Sequence, residues 1–125
     1  MEGGIFHAST GWEHLLPPGL RQLRDPWAAC RGQWDCLALT PLGCRMLAGQ
    51  AVTAAVLLLP GDCGANGFRA ETVVTYGLSP RDSITFSSLR EPVLCVPRAL
   101  PLLRGGVLEP QEFPLPGLAG AEGLL

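Results

Sequence analysis

Runs of consecutive apolar residues, rather than strict alternation, mark the first two-thirds of the chain. The most hydrophobic run is residues 56–59, and residues 34–39 and 72–76 are similar in length and character. Continuous apolarity of this length is typical of strands that are covered on both faces, as in a parallel sheet. Residues 3–8 form a candidate first strand. We therefore expect a parallel sheet with residues 57–59 and 73–76 side by side in its buried centre.

Helical spacing appears before the first long apolar run. Apolar residues recur at intervals of three and four from Leu16 to Trp27. Proline is tolerated in the first turn of a helix, so the spacing predicts a short helix over residues 18–24. The Asp25-Pro26 dipeptide is expected to end it, because the residue before a proline is pushed away from helical geometry.

A second short helix is predicted between the apolar runs. Thr40 followed by Pro41 matches a helix cap with proline at the first helical position, and the helix is expected over residues 42–50. The Gly/Asn-rich stretch 63–70 looks like a loop, or the remnant of a connecting helix. The order of elements through Tyr76 is therefore βαβ-like.

The pattern of the last third differs. Residues 84–88 alternate between apolar and polar types, and residues 93–96 form another apolar run. Residues 99–103 and 107–113 are separated by Arg104-Gly105-Gly106, a plausible hairpin turn. The predicted fold class is α/β, with a small Rossmann-like βαβ core and an antiparallel β-rich C-terminal third. At this length we expect one domain over residues 1–117 and a tail over residues 118–125.

Composition narrows the classes of function. Hydrophobic residues make up 47% and charged residues 16%, which favours a folded chain. All nine basic residues are arginines, they are scattered, and the net charge is −2, so nucleic-acid binding is disfavoured. The absence of lysine removes Schiff-base chemistry and the phosphate-loop ammonium. Codon bias in a GC-rich genome accounts for this composition.

Cysteine usage and targeting signals suggest a compartment. The five cysteines, at positions 30, 36, 44, 63 and 95, are odd in number and form no CxxC pair, so we expect reduced thiols that pack as small hydrophobes. No signal peptide is visible at the start of the sequence. Residues 46–61 are uncharged but too short and too polar to span a bilayer. The expectation is a cytoplasmic protein without membrane association.

Two polar loops carry the candidate ligand chemistry. Gly61, Asp62, Cys63 and Gly64 follow the most hydrophobic run, and glycines let backbone amides approach an anion closely. Open α/β sheets bind ligands beyond the carboxyl ends of their strands. The second set follows the next strand, where an arginine beside a serine hydroxyl suits a phosphate or carboxylate; it comprises Ser79, Arg81 and Asp82.

Each of these features also has a plainer interpretation. The first loop can be ordinary turn chemistry, since its glycine spacing matches neither the dinucleotide fingerprint nor a P-loop. The second can be a polar turn with an Arg–Asp surface pair.

Cys63 is a weak candidate nucleophile, with His7 or His14 as base. The cysteine and histidine spacing matches no metal site. The three tryptophans either pack in the core or anchor a partner; they are Trp12, Trp27 and Trp34.

The second half of the chain resembles part of a known family. Val-Leu-Leu-Leu-Pro-Gly-Asp at residues 56–62 and Val-Val-Thr-Tyr-Gly-Leu-Ser at residues 73–79 are similar to the last two core strands of the central domain of Mur-type peptide ligases. Phe-Pro-Leu-Pro-Gly-Leu at residues 113–118 is similar to the element that closes the β-rich segment of that domain. The resemblance covers about half of the chain and implies a bacterial scaffold.

The departures from that family limit what the resemblance implies. The chain has no Gly-Lys-Thr/Ser phosphate loop and no lysine to build one, and the metal-holding glutamate and histidine of the ligases have no matched positions. The resemblance therefore implies a scaffold without the ATP-dependent chemistry. Of the family's residues only Asp62 matches by position.

The leading hypothesis is a non-catalytic α/β domain, without a cofactor or metal, that binds a partner protein or a small anionic ligand at the loops after the central strands. The alternative is a small enzyme that uses Cys63 or a cluster of Asp62, Arg81 and Asp82. A third possibility is an interaction subunit whose apolar strands or tryptophans need an oligomer.

Overall fold

A mixed eight-stranded sheet organises the part of the chain that the structure describes. The structure is a computed structural model, and it describes residues 2–8, 16, 18–63, 67–88, 93–101 and 106–114. The elements in chain order are β1 (Gly3–Phe6), β2 (Arg21–Leu23), α1 (Pro26–Arg31), β3 (Gln33–Leu39), α2 (Pro41–Met46), β4 (Val52–Pro60), β5 (Phe68–Gly77), β6 (Ile84–Ser88), β7 (Val93–Val96), β8 (Leu100–Pro101), β9 (Val107–Leu108) and β10 (Gln111–Pro114). The strand order of the large sheet is β10-β7-β6-β5-β4-β3-β1-β2.

The first six strands are parallel, and β4 lies near the middle of the sheet. Leu57 is paired with Leu37 of β3 on one side and with Val73 of β5 on the other. The predicted neighbourhood of residues 57–59 and 73–76 is therefore confirmed, as is the α/β class. The carboxyl ends of β3, β4 and β5 lie at the same edge of the sheet, because parallel strands point in one direction.

The C-terminal third is antiparallel, as predicted. β7 pairs with β6 on one side and with β10 on the other, both in antiparallel register. β8 and β9 form a separate antiparallel pair, so the predicted hairpin is confirmed over residues 100–101 and 107–108, whereas residues 111–113 of its predicted second strand belong to β10 and pair with β7. Residues 102–105 of the hairpin turn, and the tail over residues 118–125, lie outside the described residues.

The prediction of a helix over residues 18–24 is wrong. Residues Arg21–Leu23 instead form β2, an edge strand parallel to β1. The helix begins where the prediction ended it: Pro26 is the first residue of α1, and the Asp25 carboxylate accepts a hydrogen bond of 3.0 Å from the Trp27 amide. An Asp-Pro dipeptide can end a preceding helix or begin a following one. Here it begins α1, with Asp25 as the N-cap and Pro26 at the first helical position.

The main hydrophobic core includes residues of both helices and β3–β4. Its members are all less than 9% exposed and include Phe6, Leu37, Leu39, Leu57 and Leu59. A smaller cluster is formed by Ile5, Ala8 and Ala38, with Leu16, Leu20 and Leu58 packed against it. Cover over β5 is incomplete, since the Val73 side chain is 48% exposed. The two faces of the sheet are therefore covered best around β1, β3 and β4.

The connection from β4 to β5 is unusually short for parallel strands. Pro60 is opposite Tyr76 and Val52 is opposite Phe68, so the chain must return along the whole length of β4. Eight residues of strand rise about 26 Å, and the same number of fully extended residues reaches about 26–29 Å. The length of chain between Pro60 and Phe68 does not accommodate a connecting helix, and residues 68–70 of the predicted loop instead form the start of β5.

Thr40 joins the end of β3 to the start of α2 and to the end of β1. Its hydroxyl accepts a hydrogen bond of 3.1 Å from the Gly43 amide and donates to the His7 carbonyl at 2.7 Å, with the Phe6 carbonyl at 3.2 Å. The side chain is 2% exposed. One hydroxyl thus caps α2 and satisfies a carbonyl group at the end of a neighbouring strand.

We predict that Thr40→Val lowers the free energy of unfolding by about 2 kcal/mol, because the shape is kept while the cap and a buried hydrogen bond are lost. Thr40→Ser, which keeps the hydroxyl, should cost less than about 1 kcal/mol. Urea denaturation of the three proteins measures both effects. Equal stability of the valine variant and the parent would contradict the capping role.

Candidate functional site

A cavity of about 490 Å³ opens at the carboxyl ends of β4 and β5, beside the start of α2. Its lining residues come from α2, from the last residues of β4 and β5, and from the loops that follow these two strands. These residues are Pro41, Arg45, Pro60, Gly61, Asp62, Cys63, Tyr76, Gly77, Leu78, Ser79 and Asp82.

Most of the site residues predicted from the sequence lie around this one cavity. The five that line it are Gly61, Asp62, Cys63, Ser79 and Asp82. Arg81 belongs to the same loop as Asp82 but does not line the cavity, and Gly64 lies outside the described residues. The two loops meet because β4 and β5 are parallel neighbours and end at the same edge of the sheet.

Arg45 is the cavity residue that sequence reasoning missed. It lies in α2, and α2 begins at the carboxyl end of β3, so the first turns of this helix reach the same edge as the two loops. The Thr40-Pro41 pattern located that helix start correctly. The sequence therefore carried the signal for Arg45, but it became informative only when β3 was known to lie next to β4.

The loop after β5 is closed by a hydrogen-bonded turn over residues 79–82. The Asp82 carboxylate accepts a hydrogen bond of 3.1 Å from the Ser79 amide, and the Ser79 hydroxyl accepts one of 3.2 Å from the Arg81 amide. The Asp82 amide donates to the Ser79 carbonyl at 3.0 Å. Serine at the first position and proline at the second position are favoured in such a turn.

Arg98 fastens this loop to the antiparallel third of the fold. Its guanidinium donates to the carbonyl oxygens of Pro80 at 3.3 Å and of Asp82 at 2.9 Å, and also to that of Arg81. Arg98 follows β7 directly, so the C-terminal strands hold one wall of the cavity in place. This structural role of Arg98 had no signal in the sequence.

Asp82 occupies a slot between two glycines. The side chain is 5% exposed, and a Cβ atom added at Gly61 would lie 1.6 Å from its Oδ1 atom, while one added at Gly77 would lie 2.5 Å from Oδ2. A side chain at either glycine would therefore collide with the Asp82 carboxylate, whereas neither glycine has a positive φ. Within the described ranges the ion pair that forms is Arg21–Glu2, so the predicted Arg–Asp surface pair is absent from this loop.

We predict that Gly61→Ala lowers the free energy of unfolding by about 1–3 kcal/mol, the usual cost of overpacking. The new methyl group displaces the Asp82 carboxylate, which in turn loses the Ser79 amide. A double-mutant cycle with Asp82→Ala should show that most of the cost of Gly61→Ala disappears when the carboxylate is absent.

Cys63 is not a free thiol, which corrects the prediction of five reduced cysteines. It forms a disulfide with the fully buried Cys44 of α2, with a Cα–Cα distance of 6.7 Å. A disulfide sulfur is not the thiolate that nucleophilic catalysis needs, so the thiol hypothesis at Cys63 fails in this form. Spacing alone did not show the pairing, because it depends on α2 packing beside the start of the β4–β5 connection.

The remaining cysteines agree with the expectation of packed thiols. Cys30, Cys36 and Cys95 are free and partly buried. Burial raises the pKa of the Cys30 and Cys36 thiols above its ordinary value, because the charged thiolate is poorly solvated there. Both thiols are therefore protonated, and poorly reactive, at neutral pH.

The other candidate residues lie away from the cavity. The His7 ring lies at the end of β1, with Nε2 at 3.2 Å from the Arg24 carbonyl, and His14 lies outside the described residues. Trp34 is 4% exposed in the core, whereas Trp27 is 66% exposed with Arg31 over its ring. Trp12 also falls outside the described residues. The described ranges contain no group of three metal-ligating side chains.

The backbone amides around the cavity are largely used within the protein. The Gly61 amide donates to the Tyr76 carbonyl at 2.9 Å and the Cys63 amide to the Pro60 carbonyl at 3.1 Å. In the second loop the amides of Ser79, Arg81 and Asp82 donate within the turn. The glycine-rich loop is therefore built as a hydrogen-bonded turn, and the charged donor among the residues lining the cavity is the Arg45 guanidinium.

In the part that the structure describes, no helix has the length and apolarity needed to cross a membrane. The chain matches no protein-family model, and neither the curated proteins nor the solved structures include a significantly similar protein.

Proposed function

We propose that the chain is a non-catalytic α/β domain that binds a small ligand in the cavity at the carboxyl ends of β4 and β5. The observation that supports this most is the convergence of two polar loops on one cavity of about 490 Å³. Small-molecule sites are commonly concave, mostly apolar and furnished with a few convergent polar groups, and they favour this edge of an open α/β sheet.

The anionic version of this proposal depends on Arg45. Its guanidinium is the cation among the residues lining the cavity, and a guanidinium can bind a phosphate or carboxylate through two hydrogen bonds. Arg81 does not contribute to the lining. An anionic ligand would therefore be held by one arginine and not by a cradle of amides.

The second candidate function is the binding of a partner protein, and the outer face of α2 favours it. Leu42 and Met46 are separated by one helical turn and are 49% and 41% exposed. Exposed Trp27 lies on α1, whose residues join the same hydrophobic core. Apolar side chains on a short surface helix are typical anchors for a partner.

The enzyme alternative has less support. The Cys63 version fails with the disulfide, and the Asp62, Arg81 and Asp82 version loses its arginine from the cavity. General acid–base chemistry would then depend on two aspartates alone.

Kinship with Mur-type peptide ligases and a bacterial, cytoplasmic origin remain part of the proposal. The two segments that carry the resemblance form β4 and β5, which are adjacent and parallel. Cytosolic thiols keep most cysteines reduced, so in that compartment the Cys44–Cys63 disulfide would be sensitive to the redox state.

Ligand binding can be tested by following the amides of Gly61, Gly77 and Ser79 in ¹⁵N-labelled protein during titration with nucleotides, sugar phosphates and peptidoglycan precursors. A ligand of the cavity should shift these amides and leave Thr53 and Glu71, at the opposite end of the strands, unchanged. The same compounds should bind more weakly to Asp62→Trp, which fills the cavity from an exposed position. The absence of any shift, together with monomeric behaviour in light scattering at two concentrations, would remove the ligand and partner versions together.

A further inference from the structure

The Cys44–Cys63 disulfide joins a fully buried residue to a residue of the cavity wall. Cys44 lies in α2, is 0% exposed and belongs to the main hydrophobic core. Cys63 is half-buried and lines the cavity, in the loop that follows β4. The two cysteines of the bond therefore differ in their access to a molecule that enters the cavity.

The disulfide ties two walls of the cavity together. Arg45 of one wall directly follows Cys44, and Asp62 of the other wall directly precedes Cys63. The other end of the same loop is attached to β5 by the hydrogen bond from the Gly61 amide to the Tyr76 carbonyl. Breaking the S–S bond therefore releases the Cys63 end of the loop from α2, while the Gly61 end stays attached.

Access and leaving-group strength favour different sulfur atoms of this disulfide. A thiolate attacks one sulfur of a disulfide, and the other sulfur leaves. Cys44 is the poorer leaving group, because a thiolate is poorly solvated at a buried position. Attack at Cys44, however, requires the core around it to open first, and opening of a packed core is rare in a folded protein. Access therefore decides in favour of attack at Cys63.

We infer that Cys63 is a site of S-thiolation, at which a low-molecular-weight thiol that enters the cavity attacks the Cys63 sulfur. The thiol forms a new S–S bond with Cys63. The electron pair of the broken bond goes to the Cys44 sulfur, which takes up the proton that the attacking thiol released. A second thiol then converts the mixed disulfide into an external disulfide and the Cys63 thiol. The inference needs only the cavity and the disulfide, so it does not depend on the proposed ligand.

The test treats the folded, full chain with 2-mercaptoethanol, stops the exchange at low pH, blocks the remaining thiols with N-ethylmaleimide and locates the mixed disulfide by mass spectrometry. The three free cysteines do not compete, because a reduced thiol forms a mixed disulfide only with an existing disulfide. Trypsin cleaves after Arg45 and Arg69, which leaves Cys63 as the one cysteine of residues 46–69. We expect about tenfold or more adduct on Cys63 than on Cys44.

The unfolded chain is the matched control. In urea both sulfur atoms are exposed, so the adduct should be distributed about equally between Cys44 and Cys63. Two variants give the same comparison without competition. Cys44→Ala should take up the adduct at Cys63 from 2-hydroxyethyl disulfide, whereas Cys63→Ala should take it up at Cys44 about tenfold or more slowly.

The distribution of the adduct decides the inference. An adduct found mainly on Cys44 of the folded protein, or equally on both cysteines, would overturn it. So would a folded protein that is neither modified nor reduced at a thiol concentration that reduces the unfolded chain. Where the Cys44 thiol displaces the adduct before it is trapped, equal rates in the two variants would overturn it instead. If Cys44→Ala does not fold, Cys44→Val, which fills the space of the thiol, takes its place.

Discussion

Replacing Tyr76 by alanine is expected to lower the free energy of unfolding by about 3–5 kcal/mol, the usual effect of removing a large aromatic side chain from a core. Tyr76 is fully buried, and it is the largest of the side chains with less than 2% exposure. Its hydroxyl donates a hydrogen bond of 2.6 Å to the Leu39 carbonyl at the end of β3. Since Tyr76 is opposite Pro60, the ring extends across the end of β4 and ties three strands together.

Tyr76→Phe separates the packing of the ring from the hydrogen bond. It should cost about 1–3 kcal/mol, because the buried Leu39 carbonyl loses a donor while the ring volume is kept. Domains of this kind are stable by about 5–15 kcal/mol, so Tyr76→Ala should unfold at much lower urea concentration and Tyr76→Phe at slightly lower. If Tyr76→Ala lowers the free energy of unfolding by less than about 1 kcal/mol, the tight packing of the Tyr76 ring is contradicted.

The second large effect concerns the Cys44–Cys63 disulfide. In the oxidised protein, Cys63→Ala should lower the free energy of unfolding by about 3 kcal/mol, because the crosslink closes a loop of this length in the unfolded chain. The sequence separation is 19 residues. In dithiothreitol the parent should lose a similar amount, and the difference between the two proteins should become small.

Cys95→Ala provides the control, since Cys95 is free and this variant, which keeps the disulfide, should lose as much stability in the reductant as the parent does. A direct count is also available. The unfolded, non-reduced protein should expose three reactive thiols and the reduced protein five. Five reactive thiols without a reductant would contradict the disulfide, and with it the fastening of the β4–β5 connection to α2.

The prediction of strands succeeded where apolar residues run continuously. Residues 34–39 and 93–96 form strands near the predicted bounds, because such short runs are too brief for helices and are bounded by turn residues. The failure at residues 18–24 has a different cause. The four apolar residues at helical spacing, from Leu16 to Trp27, fall by chance in a strand and its flanking segments, and pairing with β1 decided the outcome.

The candidate site was predicted in part. The glycines and aspartates of the two loops could be named because polar residues directly follow buried strands. The two loops meet because β4 and β5 are parallel neighbours, and the strand pairing in the structure is what shows this. Arg45, Arg98 and the partner of Cys63 could not be named, because each is brought in from a distant part of the sequence by packing.

The amino-acid sequence alone determined the local features of this protein: the apolar strands, the capped start of α2 and the polar turn at residues 79–82. These depend on interactions within a few residues, so the types of neighbouring side chains suffice to specify them. Tertiary structure alone decided that Asp82 lies buried between Gly61 and Gly77, and that Cys44 meets Cys63. Both are long-range contacts whose geometry follows from strand order and helix packing, and a linear pattern does not encode either one.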